Sequence, residues 1–195
     1  MARLIMIKEV KFVIFTIIVT NSSWAWAQRM SQAQPEYWAK TVVSDKESTT
    51  TLQFYFHDTV SGKYPSAIQV AKPIQPDQRT PSGFGVLLMA DDPLTVGPDP
   101  KSKLVGRAQG LYGSACQDEL GLLMAMSYTF NDGKYNGSTI SIMGRNSAMN
   151  PVREIPVVGG SGVFRMARGY ALAQTYWFNF TTGDAIVGYN VTIFH

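Results

Sequence analysis

The chain has 195 residues, with 17 Lys and Arg against 14 Asp and Glu, and one cysteine. This length suits a single domain. One cysteine rules out an internal disulfide and a zinc or iron–sulfur cysteine motif, and two histidines, His57 and His195, are too few for an all-histidine metal site, so we expect neither metal nor cofactor.

Residues 1–27 have the pattern of a secretory signal peptide. Three basic residues precede a short apolar run, FVIFTIIV at 12–19, and Ala25-Trp26-Ala27 has the small-x-small pattern of a cleavage site. The run is shorter than the roughly 18 residues that span a bilayer, so we expect a secreted protein with no membrane anchor. Cleavage after residue 27 removes three basic residues and one acidic residue, which leaves 14 Lys and Arg against 13 Asp and Glu and a net charge of +1. That balance, without a Lys/Arg run, argues against a nucleic-acid partner.

Strand patterns follow one another along the rest of the chain. Residues 28–47 are polar without periodicity and are expected to form a flexible lead, with the folded domain at 48–195. Segments rich in β-branched and aromatic residues alternate with Gly, Pro, Asn and Asp clusters, and no window carries a helical stripe. The predicted strands are 49–58, 65–72, 84–92, 103–116, 119–130, 136–145, 161–180 with a bend, and 184–195.

This pattern predicts an all-β fold of eight antiparallel strands. Eight such strands close into a barrel without exposed edges, whose interior is filled by side chains or holds one small ligand. A β-sandwich is the alternative. Glycines in the fourth and seventh predicted strands, among them Gly106, Gly110 and Gly169, favour the barrel because its strands must coil sharply.

Four sequence blocks resemble the plant dirigent family. They are FYFHD at 54–58, VGRAQGLY at 105–112, VVGGSGVFRMARGYA at 157–171 and DAIVGYNV at 184–191. The resemblance implies an eight-stranded antiparallel β-barrel of the allene oxide cyclase-like, calycin-like kind with an apolar pocket. It also implies a homotrimer that is secreted to the apoplast, the cell-wall space.

The same resemblance implies a function in phenolic chemistry. Dirigent proteins give stereoselectivity to the coupling of phenoxy radicals from monolignols such as coniferyl alcohol, which yields optically active lignans, while a separate oxidase or laccase supplies the radicals. Related pterocarpan synthases instead dehydrate a hydroxy-isoflavonoid and close a ring through a quinone methide. A third interpretation is a barrel that binds a phenolic without turnover, as lipocalins bind their ligands.

Asp58 is the candidate acid. Phe54, Phe56 and Asp58 share one face of a strand, so an inward face places the carboxyl group among aromatic rings, where its pKa should rise. The alternative is that Asp58 only caps the turn that follows. His57 points to the opposite face and cannot share a proton with Asp58, so we expect it on the outer surface or facing a trimer partner.

Three further site residues come from the resemblance. Tyr112 matches a pocket tyrosine that donates a hydrogen bond to substrate and stacks on its ring, with ordinary strand packing as the alternative. Arg153 matches an arginine near the pocket mouth that holds a developing phenolate or orients the acid. The alternative for Arg153 is a solvated loop charge paired with Glu154. Asn146 stands where lignan-forming members carry a second aspartate, and we expect it to contact substrate. Because an amide cannot exchange a proton at neutral pH, this departure weakens the lignan assignment.

Other motifs favour structural roles. Asp91-Asp92-Pro93 is typical of a strand end and turn, and the glycines of 159–162 lack the spacing of a phosphate loop and predict a bend. The thiol of Cys116 is expected to be buried and inert, with pairing to another chain or a reactive thiol as the alternatives.

Three N-x-S/T sequons lie beyond the signal peptide. We predict glycosylation at Asn136, which lies in a turn, and at Asn179, whereas Asn190 lies inside the last predicted strand and is expected to be less accessible.

Overall fold

A computed structural model describes residues 39–43, 47–74 and 83–195. The predicted signal peptide and most of the predicted lead lie outside these residues. Within them, no helix has the length and apolar character needed to cross a bilayer.

Strands dominate the described chain, joined by turns and two short 3-10 helices at Gly133–Tyr135 and Gly162–Phe164. The ten strands of this part of the chain are β1 (Ala39–Val43), β2 (Ser48–Asp58), β3 (Ala67–Ala71), β4 (Leu87–Thr95), β5 (Leu104–Ser114), β6 (Gly121–Phe130), β7 (Thr139–Ser147), β8 (Arg153–Ser161), β9 (Arg168–Phe178) and β10 (Ala185–Phe194).

The strands form one antiparallel sheet that closes on itself. Its order is β1-β2-β10-β9-β8-β7-β6-β5-β4-β3, and β2 also pairs with β4 through Tyr55 with Thr95 and Phe56 with Leu94. Through this seam, eight strands, β2 and β4 through β10, close into a barrel. β1 and β3 pair with β2 and β4 and extend the sheet outside the barrel. The predicted eight-stranded antiparallel barrel is therefore confirmed, and the sandwich alternative is wrong.

The strands form because apolar residues recur at every second position. In β10, Val187, Tyr189, Val191 and Ile193 are buried, while the residues between them face outward. Gly169 in β9 allows a close strand approach: a Cβ there would lie 2.0 Å from the carbonyl oxygen of Thr192, and its φ is +156°. This close approach of β9 to β10 at Gly169 agrees with the prediction that glycines let the barrel strands coil sharply.

Two strands were missed by the sequence prediction. β8 was missed because Pro156 and the following glycines weaken its strand pattern; the chain accommodates the proline next to a register shift in the β7–β8 pairing. β1 lies within 28–47, which was predicted as a flexible lead, and pairs with β2. The seventh predicted strand, 161–180, begins later than expected, at Arg168, after the 3-10 turn.

Aromatic side chains fill one end of the barrel. The ring of Phe54 stacks on Tyr189 at a centroid distance of 5.7 Å and meets Tyr128 edge-on at 5.7 Å. Phe130 and Phe164 continue the cluster in an edge-on contact at 5.8 Å. Aromatic rings thus occupy the interior at this end, and the internal space lies at the opposite end.

Candidate functional site

A cavity of about 780 Å³ lies at the end of the barrel where β2, β5, β7 and β9 finish and β4, β6, β8 and β10 begin. A volume of this size suits a small organic ligand. The lining side chains are mostly apolar, with a few polar groups at defined places. They include Phe56, Val60, Leu88, Met124, Phe178, Val187 and Tyr189, with Asp58, Tyr112, Asn146, Arg153 and Thr175 as polar groups.

Asp58 and Tyr112 form the acidic wall of the cavity. The Tyr112 hydroxyl donates to Oδ2 of Asp58 at 2.7 Å. Burial raises the pKa of Asp58 to about 6, the hydrogen bond from Tyr112 opposes this rise, and the charge of Asp184 adds to it. Burial and the neighbouring Asp58 raise the pKa of Tyr112. The wall therefore holds a carboxyl group that exchanges its proton near neutral pH, next to a phenol that stays protonated.

Asp184 fixes the loop that follows Asp58. Its carboxylate accepts hydrogen bonds from the backbone N–H of Val60 and Ser61 and from the Ser61 hydroxyl. These bonds lower the pKa of Asp184, so it stays negative and adds to the rise in the pKa of Asp58 that burial causes. The alternative that Asp58 itself only caps this turn is wrong, because Asp184 makes those contacts.

Arg153 forms the basic wall. Its Nε donates to Oδ1 of Asn146 at 3.1 Å, and its Nη1 donates to Oγ1 of Thr175 at 3.0 Å and to the carbonyl oxygen of Asn150 at 3.3 Å. The residue is 5% exposed, whereas Glu154 is exposed on the other face of β8, so the alternative of a solvated Arg153–Glu154 pair is wrong.

The charge of Arg153 faces neutral partners. No carboxylate of the described residues forms an ion pair with it, and burial lowers its pKa. A buried cation of this kind is stabilised by an anionic or strongly polar oxygen. The arrangement suits a phenolate or carbonyl oxygen of a ligand.

Two aromatic predictions have different outcomes. Phe56 lines the cavity as predicted, but Phe54 does not, since it lies two residues deeper and is 1% exposed within the aromatic cluster. The prediction of Phe54 as a substrate contact is therefore wrong. Both residues share the inward face, but alternation does not say how far the packed end of a barrel extends.

His57 lies on the opposite strand face from Asp58, as predicted, but it is not exposed. Its Nε2 lies 2.6 Å from Oγ1 of Thr95, and burial lowers its pKa. The prediction of a surface position is wrong because β4 joins β2 at this point and covers the ring.

Asp92 is a site feature that the sequence interpretation missed. Its side chain is 0% exposed, the Ser66 hydroxyl donates to its Oδ1, and burial together with the charge of Asp58 raises its pKa to about 8. It lies on a strand rather than at a turn. The signal was present in the sequence, since Leu88, Ala90, Asp92 and Leu94 alternate in one apolar face.

We expect Asp92→Asn to stabilise the protein at neutral pH. The folded-state pKa of Asp92 is raised from 3.8 to about 8, so the folded state keeps a proton that the unfolded chain releases. The free energy of unfolding is then highest below the pKa that Asp92 has in the unfolded chain, and it falls by up to about 1.4 kcal/mol per pH unit as the pH rises towards 8. Asparagine keeps an acceptor for Ser66 and removes this fall.

Thermal unfolding of both proteins between pH 4 and pH 8 measures this effect, in the range that the raised pKa sets. The melting temperature of the variant should exceed that of the parent at pH 7 and converge with it near pH 4. Equal pH dependence of the two proteins would contradict a buried neutral Asp92.

The other predicted positions lie away from the cavity polar groups. Asn136 is half-buried at the end of a 3-10 turn, and Asn179 is half-buried with its Oδ1 accepting from the backbone N–H of Thr181 at 2.9 Å. Asn190 is exposed on β10, so its predicted inaccessibility is wrong. Cys116 is partly exposed rather than buried. Within the described residues, no three His, Cys, Asp or Glu side chains converge in a way that could hold a metal ion.

The fold and site define a class of protein: a closed β-barrel with a largely apolar cavity lined by an acid and a buried cation. The family model described as Dirigent-like protein matches residues 49–194. The chain belongs to the dirigent family, as the sequence blocks predicted.

Relatives with recorded names support this membership. Dirigent protein 23 of Arabidopsis thaliana is 58% identical over 171 residues, covering 88% of this chain and 85% of that protein. Pterocarpan synthase 1 of Glycyrrhiza echinata is 53% identical over 151 residues, covering 77% and 80%. A solved pterocarpan synthase dirigent protein superposes with a TM-score of 0.72 at 52% identity, covering 79% of this chain and 88% of that chain.

Proposed function

We propose that the protein binds a phenolic in this cavity and controls the formation and ring closure of its quinone methide, as a dehydratase-cyclase of the pterocarpan synthase kind. The observation that carries the proposal is the pairing of a protonatable Asp58 with the buried cation of Arg153 on the walls of one apolar cavity. An acid and a cation at fixed positions can assist departure of a hydroxyl group and hold the phenolate oxygen that forms the quinone methide.

The reaction balances without a cofactor. Asp58 gives its proton to the leaving hydroxyl group, the carbon–oxygen bond breaks, and water departs. A second phenolic hydroxyl of the same molecule then adds to the electrophilic carbon, and its proton returns to Asp58. The net change is loss of one water, and the closed end of the barrel keeps bulk water from competing with ring closure.

Two features favour dehydration as the reaction. Asn146 donates and accepts hydrogen bonds but supplies no second exchangeable proton on the wall of Arg153. Relatives named pterocarpan synthase, from Glycyrrhiza echinata and Glycine max, are 53% and 52% identical.

The second candidate is guidance of phenoxy-radical coupling of monolignols such as coniferyl alcohol, with an oxidase or laccase as the source of radicals. The observation that favours it is the cavity volume of about 780 Å³, which leaves room for two small phenolics together. In this case the protein performs no oxidation itself, and the acid assists ring closure after coupling.

One pair of assays separates these functions. The protein is incubated with a hydroxy-isoflavan without oxidant, and separately with coniferyl alcohol and a one-electron oxidant, and both mixtures are resolved by chiral chromatography. A dehydrated, ring-closed product in the first tube supports the dehydratase-cyclase. Enantiomeric excess in the second tube alone supports the coupling function. Tight binding without either product would leave a phenolic-binding barrel.

We also propose that the mature protein is secreted to the apoplast, glycosylated and assembled as a homotrimer. The signal-peptide pattern and the sequons support the first two. For assembly, the outer face of β4 to β7 carries a row of cross-strand partners, Met89, Leu111, Ala125 and Met143, and Met143 is 53% exposed. A row of apolar side chains on an outer face is typical of an interface.

We expect Met143→Lys to convert the assembly into monomers, because it places a charge in this row. Sedimentation velocity measures the change. Gln174→Lys is the matched control, since Gln174 is exposed on β9 and lies outside the row. A trimer that survives Met143→Lys, or a parent protein that is monomeric, would contradict assembly through this face.

A further inference from the structure

β2, which carries Asp58, and β4, which carries Asp92, meet at the seam that closes the barrel. The observed pairs are Tyr55 with Thr95 and Phe56 with Leu94, and extending this antiparallel register by two residues places Asp58 opposite Asp92. The charge of Asp58 also acts on the carboxyl group of Asp92. Phe56 and Leu94 are buried in the interior, and alternation places both aspartates on that same face. The two carboxyl groups therefore face each other across the seam, next to the cavity.

Each carboxyl group has one satisfied and one unsatisfied oxygen. Oδ2 of Asp58 accepts from Tyr112, and Oδ1 of Asp92 accepts from Ser66. Oδ1 of Asp58 and Oδ2 of Asp92 are buried and accept no hydrogen bond from the described chain. Buried acceptors are almost always bonded, so two facing carboxyl groups, each with a free oxygen, point to a shared proton.

Among the described residues, no cation inside the barrel forms an ion pair with either carboxyl group. The charge of Arg107 lowers the pKa of Asp92, but Arg107 forms its ion pair with Asp91 on the outer face, at 2.6 Å. The remaining titratable groups around the pair are acids or phenols. They are Asp91 on β4, Tyr112 on β5, Tyr128 on β6, Tyr189 on β10 and Asp184 in the loop before β10.

We propose that Asp58 and Asp92 share one proton between Oδ1 of Asp58 and Oδ2 of Asp92. Asp92 thereby helps the catalytic acid, Asp58, to keep the proton that it donates. Asp92 does not line the cavity and is fully buried, so it is a positioning residue that acts through Asp58. The catalytic part of this inference rests on the proposed dehydration.

The proton balance is closed. When Asp58 transfers the shared proton to the leaving hydroxyl group, the carbon–oxygen bond breaks, water departs, and both carboxyl groups are left negative. The proton released by the attacking phenol then returns to the pair. One proton leaves and one arrives in each cycle, and no other reactant is needed.

The titration of the pair gives a measurable signature. With apparent pKa values of about 6 and about 8, the pair holds one proton between these limits. Asp92→Asn removes the sharing, and Asp58 then keeps its proton only below about 6. The alkaline limb of the activity profile should therefore move from about 8 to about 6, while rates well below pH 6 stay equal.

Carbon-13 carboxyl NMR of aspartate-labelled protein tests the sharing without any substrate. In the parent, the Asp58 carboxyl carbon should titrate in two steps, and in Asp92→Asn in one step near 6. Asp91→Asn is the matched control, since Asp91 is the exposed neighbour, and it should leave both steps in place. A single, unchanged Asp58 step in both parent and Asp92→Asn would overturn the proposal.

The activity profile separates this inference from the proposed function. Two-step titration in a protein that forms no dehydrated product would reject the dehydration and the catalytic part of the inference. Dehydration with an alkaline limb that Asp92→Asn does not move would reject the role of Asp92 alone. A uniform loss of activity at every pH would also reject it, because that is the signature of a purely structural role.

Discussion

Replacing Asp58 by asparagine is expected to lower the rate of dehydration by about 10² to 10⁴-fold, the contribution typical of a positioned general acid. Asparagine has nearly the same size and still accepts the hydrogen bond that Tyr112 donates at 2.7 Å. Ligand affinity should therefore change little, and the loss should fall on the catalytic rate. Single-turnover rates and equilibrium binding of a hydroxy-isoflavan measure the two effects separately.

Asp91→Asn is the control for this experiment. Asp91 is the sequence neighbour of Asp92, but its side chain is exposed on the outer face and pairs with Arg107. The control should retain full activity, since exposed ion pairs contribute little to stability. An Asp58→Asn variant that works at the parental rate would contradict Asp58 as the acid.

Replacing Phe54 by alanine should lower the free energy of unfolding by about 3–5 kcal/mol, because it empties a fully packed site. Phe54 contacts the rings of Tyr189, Tyr128 and Phe130 at centroid distances of 5.7, 5.7 and 6.1 Å. It does not line the cavity, so the folded fraction should bind ligand normally. Urea unfolding followed by tyrosine and tryptophan fluorescence measures the loss.

Phe56→Ala provides the contrast. Phe56 lies two residues nearer the open end and lines the cavity, so its loss should also weaken ligand binding, by about ten- to a hundredfold for a lost aromatic contact. Weakened binding in Phe54→Ala, at a temperature where it is folded, would mean that the cavity extends deeper than the structure describes.

The acidic pair has a cost in stability that the protein retains. A buried carboxyl group with a raised pKa opposes folding at neutral pH, and an amide at position 92 removes this effect without changing shape. Protein sites that hold such groups against stability are often functional. The expected rise in stability of Asp92→Asn, together with its loss of activity above about pH 6, tests whether Asp92 lowers stability while it supports activity.

Much of the fold could be predicted from the sequence because it depends on local patterns. Period-two alternation and turn residues predicted β2 and β10 closely, and the four sequence blocks predicted the family. β8 could not be found in this way, since Pro156 and two glycines disguise it, and its place follows from pairing with β7 and β9. Alternation also placed Asp58 and Phe56 on the inward face, where the structure has them.

The sequence by itself determined that the chain is all-β, that it belongs to the dirigent family, and that Phe54, Phe56 and Asp58 share one strand face, because strand alternation and motif spacing are local properties. The tertiary structure alone decided which inward residues meet. Closure of the seam between β2 and β4 brings Asp92 within reach of the charge of Asp58. Packing of one barrel end places Phe54 in the core and Phe56 at the cavity. These contacts depend on strands that are distant in sequence, and barrel closure sets their register.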